Sequence, residues 1–153
     1  ERNRQASNYV QSVKNKGVEE ENELSEWLKF VFTPIDKSLG QIINIFPSKL
    51  RDLSADPYDD TLMECFCEYL EKSQKKISKI QDLYQSLPAP ESAKEIALNL
   101  YHCFAQVKDA LNELEIYTQG YVDNYLHDGN EMIREAKRKR TQFKEKRRNL
   151  PLT

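Results

Sequence analysis

Residues 93–132 read AKEIALNLYHCFAQVKDALNELEIYTQGYVDNYLHDGNEM, and residues 134–148 read REAKRKRTQFKEKRR. In the first segment apolar residues recur every three or four positions, the spacing that places them on one face of an α-helix. The second segment has few apolar residues and is heavily basic. The pair predicts a long packing helix followed by a charged helical arm with little to bury.

Two further helical patterns precede this pair. Apolar steps of three and four predict helices over about 20–54, 58–87 and 91–128. Pro34 and Pro47 lie within the first pattern, where each removes an amide donor, so we expect one rod bent at both positions. A helix that starts afresh at Pro34 is the alternative. No β-alternation is found, and the predicted fold is all-α: an elongated antiparallel bundle of three long kinked helices with coiled-coil-like seams and a basic C-terminal helical arm.

The 153 residues divide into three predicted parts. These are a short polar or amphipathic leader over 1–17, the helical bundle over 18–133, and the basic arm over 134–153. Asp128-Gly129-Asn130 is expected to form the turn before the arm, because Gly and Asn readily adopt the left-handed conformation of turns. No apolar run approaches the roughly 18 residues that a membrane-spanning helix needs.

Charge is distributed unevenly along the chain. The net charge is −2, yet residues 134–148 hold nine basic residues and two acidic ones, so the remainder is strongly acidic. The arm is therefore the predicted site for an anion or an acidic partner. Its cations are Arg134, Lys137, Arg138, Lys139, Arg140, Lys144, Lys146, Arg147 and Arg148.

Several functions fit such an arm. A cation close to an anionic leaflet contributes about 1 kcal/mol, so an anionic phospholipid surface is one candidate partner. Nucleic acid is a weaker candidate, since the arm has charge for phosphates but only one aromatic residue and no known reading module. A nuclear import receptor, or the acidic stretch Glu19–Glu23 of a second subunit, is a further possibility. The simplest explanation is a charged face that keeps the chain dispersed.

The lengths of the predicted helices favour a homodimer. The first and third are longer than the second, and their overhanging seams leave Val10, Tyr121, Tyr125 and Met132 partly exposed until a second copy covers them. Tyr117, Tyr121 and Tyr125 form a ladder with steps of four. Together with Met132 they are predicted to form a dimer or partner strip, with packing inside the bundle as the alternative.

Motifs for catalysis, metals and cofactors are missing from the sequence. Cys65 and Cys67 would point away from each other on a helix, and a second ligand pair is lacking. His102 and His127 have no Glu three residues earlier, as di-metal bundles require. We therefore predict no enzyme, no metal and no cofactor. The three cysteines favour reduced thiols and an intracellular, cytoplasmic location, extended to a peripheral membrane location if the arm binds lipid.

The predicted layout is similar in shape to the crescent-shaped, membrane-binding BAR-type modules. It shares three long kinked antiparallel helices, a dimer and a basic patch, although its basic charge lies in the C-terminal arm and no diagnostic motif accompanies the likeness. The sequence thus predicts a non-enzymatic helical interaction or scaffold module, acting as an adaptor with protein partners at a membrane surface. A nucleic-acid-associated helical protein is the alternative.

Overall fold

The computed structural model describes residues 19–150. This part of the chain is helical apart from short connections and contains no strand, which confirms the all-α class. The predicted leader over 1–17 lies outside the described residues. In chain order the elements are α1 (residues 19–27), a π-helical segment π1 (Leu28–Phe32), α2 (Thr33–Ala55), α3 (Asp60–Ser86), a 3-10 turn (Glu91–Ala93), α4 (Lys94–Gly120) and α5 (Asp123–Arg148).

The helices form a four-helix bundle in which successive helices run antiparallel. The continuous rod α1–π1–α2 is the first helix, and α2 and α4 each pack against both α3 and α5. Lys76 of α3 donates to the Gln41 side chain of α2, and Gln74 of α3 donates to Glu115 of α4. The predicted count of three long helices is therefore wrong, because α5 closes the bundle as a fourth member.

A proline accounts for the π-helical segment. Pro34 has no amide hydrogen, and its ring would collide with the carbonyl four residues earlier in a regular α-helix. The amide of Thr33 instead donates to the carbonyl of Leu28, five residues back, which widens the turn before the proline. Helix also continues across Pro47, which lies inside α2. The continuous rod predicted across both prolines is observed.

The helix ends at the α2–α3 and α3–α4 connections follow from local chemistry. The side chain of Asp59 accepts a hydrogen bond of 2.9 Å from the amide of Leu62 and so caps α3. Beyond α3 the segment Pro88-Ala89-Pro90 cannot continue the helix. No helix among the described residues has the length and apolar character needed to cross a bilayer.

The boundary between α4 and α5 differs from the prediction. Helix α4 ends at Gly120, and Tyr121 takes a left-handed conformation (φ 57°, ψ 30°) with its amide donating to the Tyr117 carbonyl at 2.8 Å. The predicted turn at Asp128-Gly129-Asn130 is wrong, since these residues lie within α5. A Cβ on Gly129 would be only 2.6 Å from a methyl carbon of Leu114. The glycine thus permits close approach of α5 to α4.

Helix α5 also buries more surface than predicted. Ile133, Ala136 and Phe143 are fully buried. The ring of Phe143 meets that of Phe32 edge-on, with centroids 5.6 Å apart. The expectation of an arm with little to bury was wrong, because small residues such as Ala136 make a packing face that a count of large apolar residues does not reveal.

Candidate functional site

Three of the predicted binding cations form ion pairs with neighbouring helices. Arg140 donates to Asp36 of α2 at 2.8 Å, and only 20% and 16% of these two side chains are exposed. Lys144 lies 3.9 Å from the other oxygen of Asp36. Lys146 pairs with Glu95 of α4 at 2.8 Å. These pairs join α5 to two neighbouring helices, and the Arg140–Asp36 pair is the largely buried one, whereas Lys144 and Lys146 pair near the surface.

The remaining arm cations do not form a continuous basic surface. Arg134 and Arg138 face solvent but pair with Glu131 and Glu135 on the same helix, and Arg147 is half-buried. Among the described residues no ion-pair partner is found for three cations. They are Lys137, Lys139 and Arg148. Carboxylates such as Glu131 and Glu135 are thus interspersed among the cations of α5.

The predicted tyrosine strip is divided by the break at Tyr121. Tyr117 is buried, Tyr121 is 40% exposed at the end of α4, and Tyr125 and Met132 are half-buried on α5 against the core. Only the first two rings touch, with centroids 5.9 Å apart. The structure therefore does not bring the four residues together as one surface.

The ring of Tyr121 also packs against a residue outside the predicted strip. Tyr58, from the turn between α2 and α3, packs its ring 5.6 Å from that of Tyr121. Tyr58 is 78% exposed and Val122 is 50% exposed. We call Tyr58, Tyr121 and Val122 the aromatic lip. The contact of Tyr58 with a residue 63 positions later depends on the tertiary fold, so the sequence patterns did not indicate it.

The left-handed backbone conformation of Tyr121 is energetically unfavourable for a residue other than glycine. Among the described residues it is the one non-glycine with positive φ. A side chain in the left-handed region crowds the following carbonyl and costs about 1–2 kcal/mol, a penalty that glycine avoids. Tyr121 caps α4 in this conformation, a common helix ending at which glycine is the usual residue.

A cleft of about 770 Å³ lies beside the lip, between the second half of α2 and the first half of α5. Its walls carry both apolar and charged side chains, and Tyr117 forms part of the floor. Burial, and then the nearby Asp123 carboxylate, raises the pKa of Tyr117. The lining residues are Pro47, Leu50, Arg51, Ser54, Ala55, Pro57, Tyr117, Asp123, Leu126, His127, Asn130 and Arg134.

The cleft brings together charges from distant parts of the chain. Arg51 projects from α2 and Arg134 from α5, while Asp123 is the acidic residue of the lining. Within residues 19–150 Arg51 makes no ion pair, and the pair of Arg134 with Glu131 is long, at 3.5 Å, between exposed side chains. Arg134 is thus one predicted binding residue that the structure places in a cleft.

The cysteines and histidines do not gather into a metal centre. Across the described part of the chain, no group of three His, Cys, Asp or Glu side chains is placed to hold an ion. Cys65 and Cys67 are exposed on α3, whereas Cys103 is buried and donates to the Ala136 carbonyl at 3.4 Å. Burial raises the pKa of Cys103 to about 12, so this thiol stays neutral and acts in packing.

Comparison with known proteins places the chain in a family. Searches among curated proteins and among solved structures give no significant match. The family model described as "Cyanobacterial DnaJ chaperone, C-terminal domain" matches residues 19–151, which include every helix of the bundle. The chain therefore belongs to the family of cyanobacterial DnaJ chaperone C-terminal domains.

Proposed function

We propose that this chain is a non-catalytic protein-interaction domain of a chaperone-associated protein, and that it binds a protein partner through the aromatic lip and the adjoining cleft. Membership of a DnaJ-related family supports a role among protein partners. The observation that carries the proposal is the left-handed Tyr121, whose ring stands exposed against Tyr58 at the edge of the cleft. A bundle that needed only stability would favour glycine at that position.

The chemistry of the lip suits a protein partner. Tyrosine rings are large and rigid, and each offers both an apolar face and a hydroxyl group, so they are frequent anchors in interfaces. The two rings of the lip lie at the end of the bundle, where the α2–α3 turn meets the α4–α5 turn. Connections held by a rigid scaffold are common places for binding residues.

Site-specific photo-crosslinking in cells tests this proposal. A photoreactive phenylalanine analogue is placed at position 58 or 122 of the full-length protein, with position 101 as the control. Tyr101 is also an exposed aromatic residue, 45% accessible, but it packs beside Tyr84 on the α3–α4 face. We expect the same discrete adduct from positions 58 and 122 and none from 101. Adding Tyr121→Asp should remove the adduct.

Two outcomes would contradict the proposal. Equal adducts from position 101 would indicate nonspecific capture, and no adduct from positions 58 and 122 would leave the lip without a partner. Circular dichroism of the Tyr121→Asp variant must match that of the parent, because loss of an adduct through unfolding carries no information about the lip.

Binding to an anionic phospholipid surface is a second candidate, favoured by the cations that lack ion pairs. Lys137, Lys139 and Arg148 would contribute about 1 kcal/mol each near an anionic leaflet. Glu131 and Glu135 on the same helix oppose this attraction. Co-sedimentation with phosphatidylserine vesicles should therefore be weak and should disappear when the three cations are changed to Gln. A gel-shift assay with the same variants tests the nucleic-acid alternative.

Homodimerisation stays a prediction. Closure of the bundle by α5 already half-buries Tyr125 and Met132, and Tyr117 is buried, so Tyr121 is the exposed residue of the predicted dimer strip. Light scattering that gives a mass of 18.0 kDa, the mass of a single chain, at micromolar concentration would contradict it. An intracellular, cytoplasmic location likewise stays a prediction from the cysteine content.

A further inference from the structure

We infer that the cleft between α2 and α5 binds an acidic segment of the partner, a short stretch in which carboxylates flank an apolar side chain. This inference rests on the proposed function, since it names the chemistry of the partner that the lip and cleft would take. The inference depends on the two arginines at the rim of the cleft and on its apolar lining. It also depends on the acidic turn Asp56–Asp60 of this chain, which is already engaged in its own fold.

Two arginines at the rim supply the groups that would bind carboxylates. Arg51 and Arg134 reach the cleft from opposite walls, and Asp123 is the acidic residue among the lining side chains. A guanidinium group binds a carboxylate through two parallel hydrogen bonds, so two of them favour a segment with spaced carboxylates. Arg51 has no ion pair within the described residues, and the exposed pair of Arg134 with Glu131 at 3.5 Å is readily exchanged.

The lining requires an apolar component as well. Pro47, Leu50 and Leu126 lie within the cleft, and the rings of Tyr58 and Tyr121 stand beside it. A purely anionic ligand such as a phosphate backbone would leave this apolar surface in water. An acidic segment with a leucine or phenylalanine between its carboxylates covers the apolar surface and neutralises the arginines together. A protein segment is thus favoured over a nucleic acid.

A second copy of this chain carries a segment of similar composition, the turn Asp56–Asp60. In the fold that turn is already engaged. Asp59 caps α3 through the Leu62 amide, and Tyr58 packs on Tyr121 of its own chain. Insertion into the cleft of a second molecule would sacrifice both contacts. A different protein chain is therefore the favoured occupant, and self-association becomes an outcome that the experiment must detect.

The probe is a fluorescein-labelled peptide of about eight residues, with a central Leu-Phe pair flanked by three Asp on each side. The matched peptide carries Asn in place of every Asp. Fluorescence anisotropy with the full chain should show binding of the Asp peptide that weakens as NaCl is raised, and about tenfold or more weaker binding of the Asn peptide. The double variant R51Q/R134Q should weaken binding of the Asp peptide about five- to twentyfold.

The control variant is K137Q/R138Q, which removes two charges from the exposed face of α5 outside the cleft. We expect its affinity for the Asp peptide to stay within about twofold of the parent. All four substituted residues are exposed, so we expect each variant to fold, and a thermal melt of each variant is the check. An equal loss in K137Q/R138Q, or no loss in R51Q/R134Q, would overturn the inference, because binding would then be general attraction to α5.

The outcomes separate this inference from the proposed function. If Asp and Asn peptides bind equally and Tyr58→Ser abolishes both, the lip binds a partner segment but its acidic character is overturned. If neither peptide binds and light scattering shows only a dimer that R51Q/R134Q dissociates, the occupant is a second copy. If neither peptide binds and the chain is monomeric, the inference fails, while crosslinking from positions 58 and 122 still decides the proposed function.

Discussion

Gly129→Ala is the substitution that tests the packing of α5 on α4 most directly. The added Cβ would lie 2.6 Å and 2.7 Å from two side-chain carbons of Leu114 and 3.4 Å from the Ala110 carbonyl oxygen. Leu114 is fully buried and has little room to move. Forcing a methyl group into such an interface costs about 1–3 kcal/mol. The higher helix propensity of Ala offsets about 1 kcal/mol, so we expect a net destabilisation of up to about 2 kcal/mol.

Gly120→Ala is the matched control. Gly120 ends α4, and a Cβ there would meet nothing closer than Val122, at 4.0 Å. This substitution should leave the stability unchanged or raise it by up to about 1 kcal/mol. Urea unfolding followed by circular dichroism at 222 nm gives both values from the midpoint and slope. In a chain of this size 1 kcal/mol corresponds to about 2–4 °C in Tm.

A double-mutant cycle with Leu114→Ala distinguishes the cause. Truncating Leu114 makes room for the new methyl group, so Gly129→Ala should become neutral or stabilising in that background. Additive losses would refute the proposed contact. Additive losses would mean that the alanine destabilises the backbone conformation of α5 itself, and that a clash of its methyl group with Leu114 is not the cause.

Further predictions concern polar groups in the core. Asp36→Asn leaves Arg140 half-buried without its carboxylate and should cost about 1–3 kcal/mol in urea unfolding. Tyr84→Phe removes the 3.1 Å hydrogen bond to the Ala97 carbonyl and should cost about 0.5–1.5 kcal/mol in the same assay. Because the pKa of Cys103 is raised to about 12 from near 9, its neutral thiol stabilises the fold fully below pH 9. That contribution is lost as pH rises from 9 towards 12, and the loss should be absent in Cys103→Ala. At pH 8, Ellman's reagent should label the other two cysteines before Cys103.

The first three helical patterns were readable from the sequence because their seams consist of large apolar residues. Leu39, Phe66 and Leu100 belong to these seams and are buried. Asp59 and the prolines after α3 mark the helix ends through local chemistry, which needs no tertiary information. The all-α class followed from these patterns alone.

The packing of α5 was not readable in this way. Gly129 and Ala136 are small, and the seam position between Ala136 and Phe143 is taken by Arg140. An arginine there normally indicates a solvent-facing position. In this fold Asp36 neutralises it, and Gly40 gives it space, since a Cβ on Gly40 would lie 2.6 Å from the guanidinium group. Both partners lie on α2, about a hundred positions earlier in the chain.

The candidate site was predictable only in part for the same reason. The sequence identified the arm cations, but which of them remain available depends on carboxylates from other helices. Arg134 was among the predicted residues, whereas Arg51 was not, because it stood alone on an otherwise ordinary helix. Only the tertiary fold brings the two arginines to one cleft.

Because successive helices run antiparallel, the lip and cleft lie at the opposite end of the bundle from residues 19 and 150. Helix α5 has 26 residues and spans about 39 Å between these ends. The bundle is thus a rigid spacer, and a partner held against the α5 residues of the cleft, Asp123 to Arg134, sits about 20–40 Å from the end of that helix. The distance is set by packed helices, so it does not vary as it would across a flexible tether.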